Sequence, residues 1–282
     1  MTTIPPEQAG APAPGPREAH QAREVAQSFG PEAGRYNRAR PRYPQALIER
    51  IAAASPGRDV LDVGCGTGIS SRQLQAAGCR VLGIDPDPQM AAFARQHGLA
   101  AEVARFEDWD PAGRTFDAVT AGMTWHWVDP AAGAAKAAQV LRPGGLAAAF
   151  WYVFQPPPAL GEAFADAYRR VLPPGSPFAA AGTMPGLDAY SAFFTKAADG
   201  IRASGAFSDP EPWQQWRYEW DQPYTRDQWL DMVPTSGGHS KFPPAVLQQL
   251  LDSIGAAIDA AGGSFTMHFT AAAVTATRAS TT

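Results

Sequence analysis

The chain has little cysteine, no long apolar run and no excess of positive charge, and each shortage removes a class of function. Cys65 and Cys79 are the only cysteines among 282 residues, so no disulfide framework can staple the fold, and a reducing, cytoplasmic setting is expected. No stretch approaches the roughly 18 continuous apolar residues that a bilayer span requires, and no basic start runs into an apolar segment of the kind that marks export. A soluble, unexported protein without a membrane partner is the expectation. A formal net charge of -4 argues against a broad phosphate-binding surface, which sets nucleic acid aside. The five histidines and two cysteines show no ligand spacing, so no metal is expected.

What is present is ample material for a core, with 45% hydrophobic residues, arranged in a regular alternation. Residues 1–16 are rich in Pro, Ala and Gly and cannot offset their ordering entropy, so a disordered tail is expected there. A short helix over 17–29, an extended segment over Tyr36–Pro44 set by its two prolines, and a helix over Gln45–Ala54 follow. Strands are then expected at Val60–Val63, Arg80–Ile84, Ala101–Val103, Phe116–Ala121 and Leu146–Tyr152, with helices between them, including Gln89–His97 and Pro130–Val140. After Tyr152 the rhythm breaks into Pro156-Pro157-Pro158, a helix near Leu160–Val171, a Pro/Gly-rich loop and a helix near Leu187–Ala203. Strand character returns at Trp213–Trp220, followed by helices at Arg226–Met232 and Ala245–Ala261 and a last strand at Ser264–Thr277. The pattern predicts an α/β fold, a doubly wound, mostly parallel seven-stranded sheet with an antiparallel last strand. Residues 17–151 and 213–282 form its core with an N-terminal lid, and 152–212 form a helical cap that contributes to a substrate pocket.

One segment carries most of the chemistry. Asp62-Val63-Gly64-Cys65-Gly66-Thr67-Gly68 follows a strand and opens a helix, where backbone can approach a ligand closely and amides at a helix start can meet a negative group. The spacing is G-x-G-x-G, with Ile69 where the dinucleotide fingerprint G-x-G-x-x-G/A wants a small residue, which disfavours an NAD-dependent oxidoreductase. Asp85 ends the second strand, 17 positions after Gly68, where a carboxylate can accept both hydroxyls of a ribose.

Asp62, the three glycines, Asp85 and the later Leu141-Arg142-Pro143-Gly144-Gly145 segment, in this order, resemble the motifs of class I S-adenosylmethionine-dependent methyltransferases. The resemblance implies S-adenosyl-L-methionine as cofactor and S-adenosyl-L-homocysteine as product. It further implies that Asp62, Gly64, Cys65, Gly66 and Gly68 hold the methionine end, that Asp85 holds ribose, and that Pro86 or Met90 lies against adenine. The adenine edge falls to the Phe106 backbone and Glu107, since Arg105 stands where the family often has an acid. Gly122 would close the floor at the end of the fourth strand.

Trp125-His126-Trp127-Val128-Asp129 follows in place of the Asn/Asp-Pro-Pro-Tyr/Phe motif of many base- and amine-directed enzymes. Together with Tyr36–Pro44 and Gly237-Gly238-His239-Ser240 it is similar to the small-molecule branch that includes trans-aconitate and natural-product methyltransferases. A small organic acceptor is therefore expected, with no oligomeric state implied. His126 is the candidate for taking the acceptor's proton, its pKa lying near neutrality, or for positioning the acceptor where no base is needed. Trp125, Trp151, Tyr152, Trp229 and His239 would line the acceptor site, while Tyr36 and Arg40 would fold over the cofactor's carboxylate. The alternative function is a protein that binds S-adenosylmethionine without transferring its methyl.

Overall fold

A computed structural model describes residues 29–173, 176 and 190–280. The expected tail over 1–16, the expected helix up to residue 28 and the first residues of the second cap helix lie outside the described residues. Seven strands form one sheet: β1 (Asp59–Val63), β2 (Arg80–Asp85), β3 (Ala100–Val103), β4 (Phe116–Gly122), β5 (Leu141–Gln155), β6 (Arg217–Thr225) and β7 (Ser264–Thr277). Their order is β3-β2-β1-β4-β5-β7-β6. The first five run parallel, and β7 pairs antiparallel with both β5 and β6. Chain order reverses direction between β1 and β4, which leaves a crevice beyond their carboxyl ends where ligands bind in open α/β sheets.

The helices are α1 (Ala33–Ala39), α2 (Gln45–Ala54), α3 (Ile69–Ala76), α4 (Pro88–Gln96), α5 (Pro130–Val140), α6 (Pro158–Val171), α7 (Ser191–Ala203), α8 (Arg226–Met232) and α9 (Pro244–Ala260). Their starts are written locally. Asp87 accepts from the amides of Gln89 and Met90, Asp129 accepts from those of Ala131 and Ala132, and each is followed by a proline at the first helical position. Thr225 and Gln228 form a reciprocal capping box on α8. One face of the sheet packs Leu61, Val119 and Trp151 against α5 and α7, and the other packs Phe150, Tyr152 and Phe269 against α2, α6 and α9. Both faces are covered, as a parallel sheet requires.

Three expectations need correction. Tyr36 to Ala39 are helical, because proline restricts only the residue before it: Arg40 is extended ahead of Pro41, but Tyr36 lies too far upstream to feel the ring. Trp213–Trp216 form a 3-10 turn after Pro212, and the strand starts at Arg217. β5 runs on to Gln155, paired with His268 of β7, so residues 152–155 belong to the sheet rather than to a cap. The Arg142 segment is also drawn into β5. There the Arg142 guanidinium bonds Asp117 at 2.6 Å and Asp59 at 3.1 Å, clasping the amino ends of β4 and β1, at the opposite end of the sheet from the crevice.

Candidate active site

Beyond the carboxyl ends of β1, β2 and β4 lie three cavities of about 60–90 Å³ that share Gly64 and Thr124 as lining. At one end Tyr36, Arg40, Tyr43, Cys65, Gly66, Thr67, Gly122, Met123 and Tyr152 enclose a polar space. In the middle stand Phe29, Asp85, Pro86, Met90 and Trp127. The far end is an apolar slot between Ile84, Pro86, Phe106, Glu107 and Val128. Together they make a trough along the edge of the sheet.

The glycines have distinct reasons to be glycine. Gly64, Gly66 and Gly68 all hold positive φ, at 61°, 55° and 83°, a region where a side chain costs about 1 kcal/mol or more. A Cβ on Gly64 would lie inside the Thr124 side chain, whereas one on Gly66 would meet nothing within 4 Å. Gly64 is thus fixed by protein packing and Gly66 by the space it leaves in the trough.

Asp62 is fully buried and does not line the trough. Its carboxylate accepts from Ser70 at 2.8 Å, Ser71 at 2.5 Å and Thr120 at 2.9 Å, tying the start of α3 to β1 and β4. The cofactor contact expected of it is corrected: three hydroxyls already take its lone pairs, so it shapes the loop from beneath. Asp85 does face the trough. It accepts from the amides of Gly66 and Asp87, each at 2.8 Å, and burial pushes its carboxyl up to about 6 despite those bonds. Glu107 accepts from the Asp129 amide at 3.2 Å, while Arg105 turns to Asp108 at 2.9 Å.

Arg40 is a half-buried cation without a carboxylate partner among the described residues. It lies 4.9 Å over the Tyr36 ring, donates to the Tyr152 hydroxyl at 3.3 Å and to the Thr235 carbonyl, and leaves its Nε buried without a partner. Thr67 Oγ1 is a second buried orphan lining the same cavity. Buried polar atoms are almost always satisfied, so this pair marks a place for an acceptor-bearing ligand.

His126 differs from expectation. It sits on the 3-10 turn Trp125–Trp127, and its Nδ1 accepts from the Trp151 indole N–H at 3.1 Å. That leaves the proton of the neutral ring on Nε2, with no lone pair to take a proton, and burial lowers the pKa to about 4. The base role is therefore corrected to that of a donor.

The acceptor wall expected from tryptophans is mostly core. Trp125 and Trp151 are buried. Trp229 packs among Phe154, Phe164, Tyr224 and Phe265. His239 is buried between Tyr168 Oη, 2.7 Å from its Nε2, and the Ser236 carbonyl. Only Tyr152 of that set lines the trough.

Thr124, Met123 and Thr67 are lining residues that were not singled out, and Trp127, one of the clustered aromatics, lines the trough as well. Thr124 donates between the carbonyls of Gly64 and Gly122, 3.1 Å from each, and joins the ends of β1 and β4. Met123 holds φ at 56°, a strained conformation for a residue with a side chain, with its sulfur accepting from the Tyr152 amide at 3.2 Å. A hydroxyl placed two residues after Gly122 was the available signal for Thr124; nothing local marks the backbone of Met123.

Residues 61–149 match a family model described as a methyltransferase domain. An uncharacterized methyltransferase of Mycobacterium bovis is 39% identical over 132 residues, which is 46% of this chain and 54% of that one. A ubiquinone biosynthesis O-methyltransferase of Hahella chejuensis is 41% identical over 100 residues, 33% of this chain and 42% of that one. The chain thus spans about half the length of these curated relatives. A solved structure from Anaeromyxobacter dehalogenans, described as a candidate type II methyltransferase, shares the fold with a TM-score of 0.56, at 22% identity over 84% of this chain and 97% of that one. These matches agree with the resemblance read from the glycine loop: residues 61–149 carry a methyltransferase domain. Among the described residues no cluster of His, Cys, Asp or Glu could hold a metal ion, and no helix is long and apolar enough to cross a membrane.

Proposed function

With a methyltransferase domain as premise, we propose that the protein transfers a methyl group from S-adenosylmethionine to an O, N or C atom of a small, partly hydrophobic organic molecule. The trough carries this reading. It offers two orphaned donors at one end, Arg40 Nε and Thr67 Oγ1, a buried carboxylate at Asp85 in the middle, and an apolar slot edged by Glu107 at the other end. A ligand with an amino-acid carboxylate, a ribose diol and a purine matches these groups in that order.

Bound there, S-adenosylmethionine supplies an electrophilic methyl on a sulfonium. The chain's part is to hold the reactants in line and keep water out, the two effects that dominate where little acid or base chemistry is compulsory. Gly66 leaves room for the backbone approach, and Asp85 accepts the diol. Tyr36, Arg40 and Tyr43 cover the methionine end, and α6 and α7 complete the acceptor side as a helical cap.

The test is calorimetry with S-adenosylmethionine, followed by an acceptor panel scored for S-adenosylhomocysteine. Binding is expected in the native protein, and at least about tenfold weaker binding in Asp85→Ala, the loss of hydrogen bonds to a charged group. Tight binding of NAD(H) with none of S-adenosylmethionine would overturn the reading. Cofactor binding with no product across the panel would favour a binding protein that does not transfer the methyl.

A further inference from the structure

The His126 ring is held on three sides. Trp151 donates to Nδ1, Phe193 of α7 stacks on the ring at 4.8 Å with the planes 21° apart, and Trp127 lies 4.6 Å away. Nε2 has no hydrogen-bond partner among the described residues. The turn that carries His126 begins directly after Met123 and Thr124, both trough-lining residues. His126 is flanked in the chain by the lining residues Thr124 and Trp127, and an N–H locked in one direction there and unused by the protein is a preorganised donor.

Asp85 and Glu107 face the stretches of the trough assigned to ribose and purine, and the polar groups toward β5 are donors. The Tyr152 hydroxyl accepts from Arg40, whose charge is taken up by the cofactor's carboxylate in the reading above, and keeps its own proton to give. Tyr190, which stacks edge-on against Phe193 at 5.3 Å, adds aromatic surface and a phenol that burial keeps protonated. Donors without an opposing acceptor suit an acceptor that arrives as an oxygen anion and do not suit an ammonium.

We propose that Trp151 is a positioning residue: its indole N–H fixes His126 as the Nε2–H tautomer, and that N–H donates to an oxygen of an anionic oxygen acceptor, a carboxylate or a phenolate carried on a flat apolar frame. The inference rests on the methyl-transfer reading above. The step balances without a base. An oxygen lone pair forms the O–CH₃ bond, the C–S bond breaks with its electron pair remaining on sulfur, and no proton moves. That is consistent with a His126 that has no lone pair to offer.

Long-range ¹⁵N NMR of the unliganded protein tests the tautomer. His126 is expected as Nε2–H, and its replacement by a tautomer mixture is expected in Trp151→Phe. An Nδ1–H signal in the native protein overturns the proposal. Benzoate and benzylamine, matched in ring and opposite in charge, then probe the site in protein saturated with S-adenosylhomocysteine. Benzoate is expected to bind the more tightly, to weaken about tenfold or more in His126→Ala, and to recover in His126→Gln, whose amide keeps a donor near Nε2. Benzylamine binding as tightly as benzoate, benzoate failing to bind, or an unchanged benzoate affinity in His126→Ala each overturns it. Calorimetry before benzoate is added separates these failures from failure to load S-adenosylhomocysteine, which would strike the cofactor reading and this proposal together.

Discussion

Gly64 and Gly66 share a backbone conformation and differ in what surrounds them. In Gly66→Ala the new methyl would point into open space, so stability should fall only by the strain of a side chain at positive φ, about 1 kcal/mol, while cofactor binding is lost because the methyl fills the trough. In Gly64→Ala the methyl would collide with Thr124, so the junction of β1 and β4 must shift and stability should drop by several kcal/mol, as overpacked sites do. Urea denaturation beside calorimetry checks both. Equal stability loss in the two variants would refute the distinction. The G-x-G-x-G spacing was legible because glycine is the residue that adopts such backbone without cost. Which glycine faces ligand and which faces protein was not, since both answers produce the same letter.

At the scale of elements, α1 is a seven-residue helix, too short to be stable alone, and it is held by contacts far along the chain. Arg35 and Arg38 both bond Asp231 on α8, at 2.9 Å each, and Asn37 accepts from Arg72 of α3 at 2.5 Å. Through these contacts α1 keeps Tyr36 and Arg40 over the trough. Asp231→Asn removes the charge that the two guanidiniums share. It should cost little global stability, because partly exposed pairs contribute about 1 kcal/mol or less, but it should raise amide hydrogen exchange over residues 33–43 and speed release of S-adenosylhomocysteine. Unchanged exchange in that segment would show that packing, rather than the ion pairs, holds the helix. Sequence reading expected a lid in this segment and missed its latch, because 193 positions separate Arg38 from Asp231 and no local pattern links them. The same limit explains His126: its position after β4 was legible, but its loss of basicity comes from burial and its tautomer from a tryptophan 25 positions on.

For the whole molecule, buried titratable groups set how stability follows pH, with opposing signs. Burial pushes His126 and His239 down to about 4, below the unfolded value of about 6.5. The stability they contribute is therefore full above about pH 6.5 and lost as pH falls through about 4. Asp85 is pushed up to about 6 from an unfolded value of about 3.9. Its contribution is present below about pH 4 and lost as pH rises through about 6. Burial raises Asp62 as well, so two histidines oppose two aspartates between pH 4.5 and 6.5, and the slope of the urea midpoint against pH reports their balance. That slope should become more positive in Asp85→Asn, which removes one opposing group, and less positive in His239→Gln even though that variant loses its bond to Tyr168. Parallel pH profiles for all three proteins would remove these groups as the cause.

The sequence by itself determined the order and kind of most elements, from α2, α5, α8 and β7 at their full lengths to the glycine loop and Asp85, because periodicity, proline, capping residues and glycine act within a few residues of themselves. The tertiary structure alone decided which of the marked residues face ligand. Asp62 is turned inward by Ser70, Ser71 and Thr120, Trp125 and Trp229 are spent in the core, and Thr124 and Met123 enter the trough because β4 ends beside β1. A carboxylate or an indole reads the same whether it meets solvent, ligand or protein; its role is fixed by the groups that distant parts of the chain bring against it.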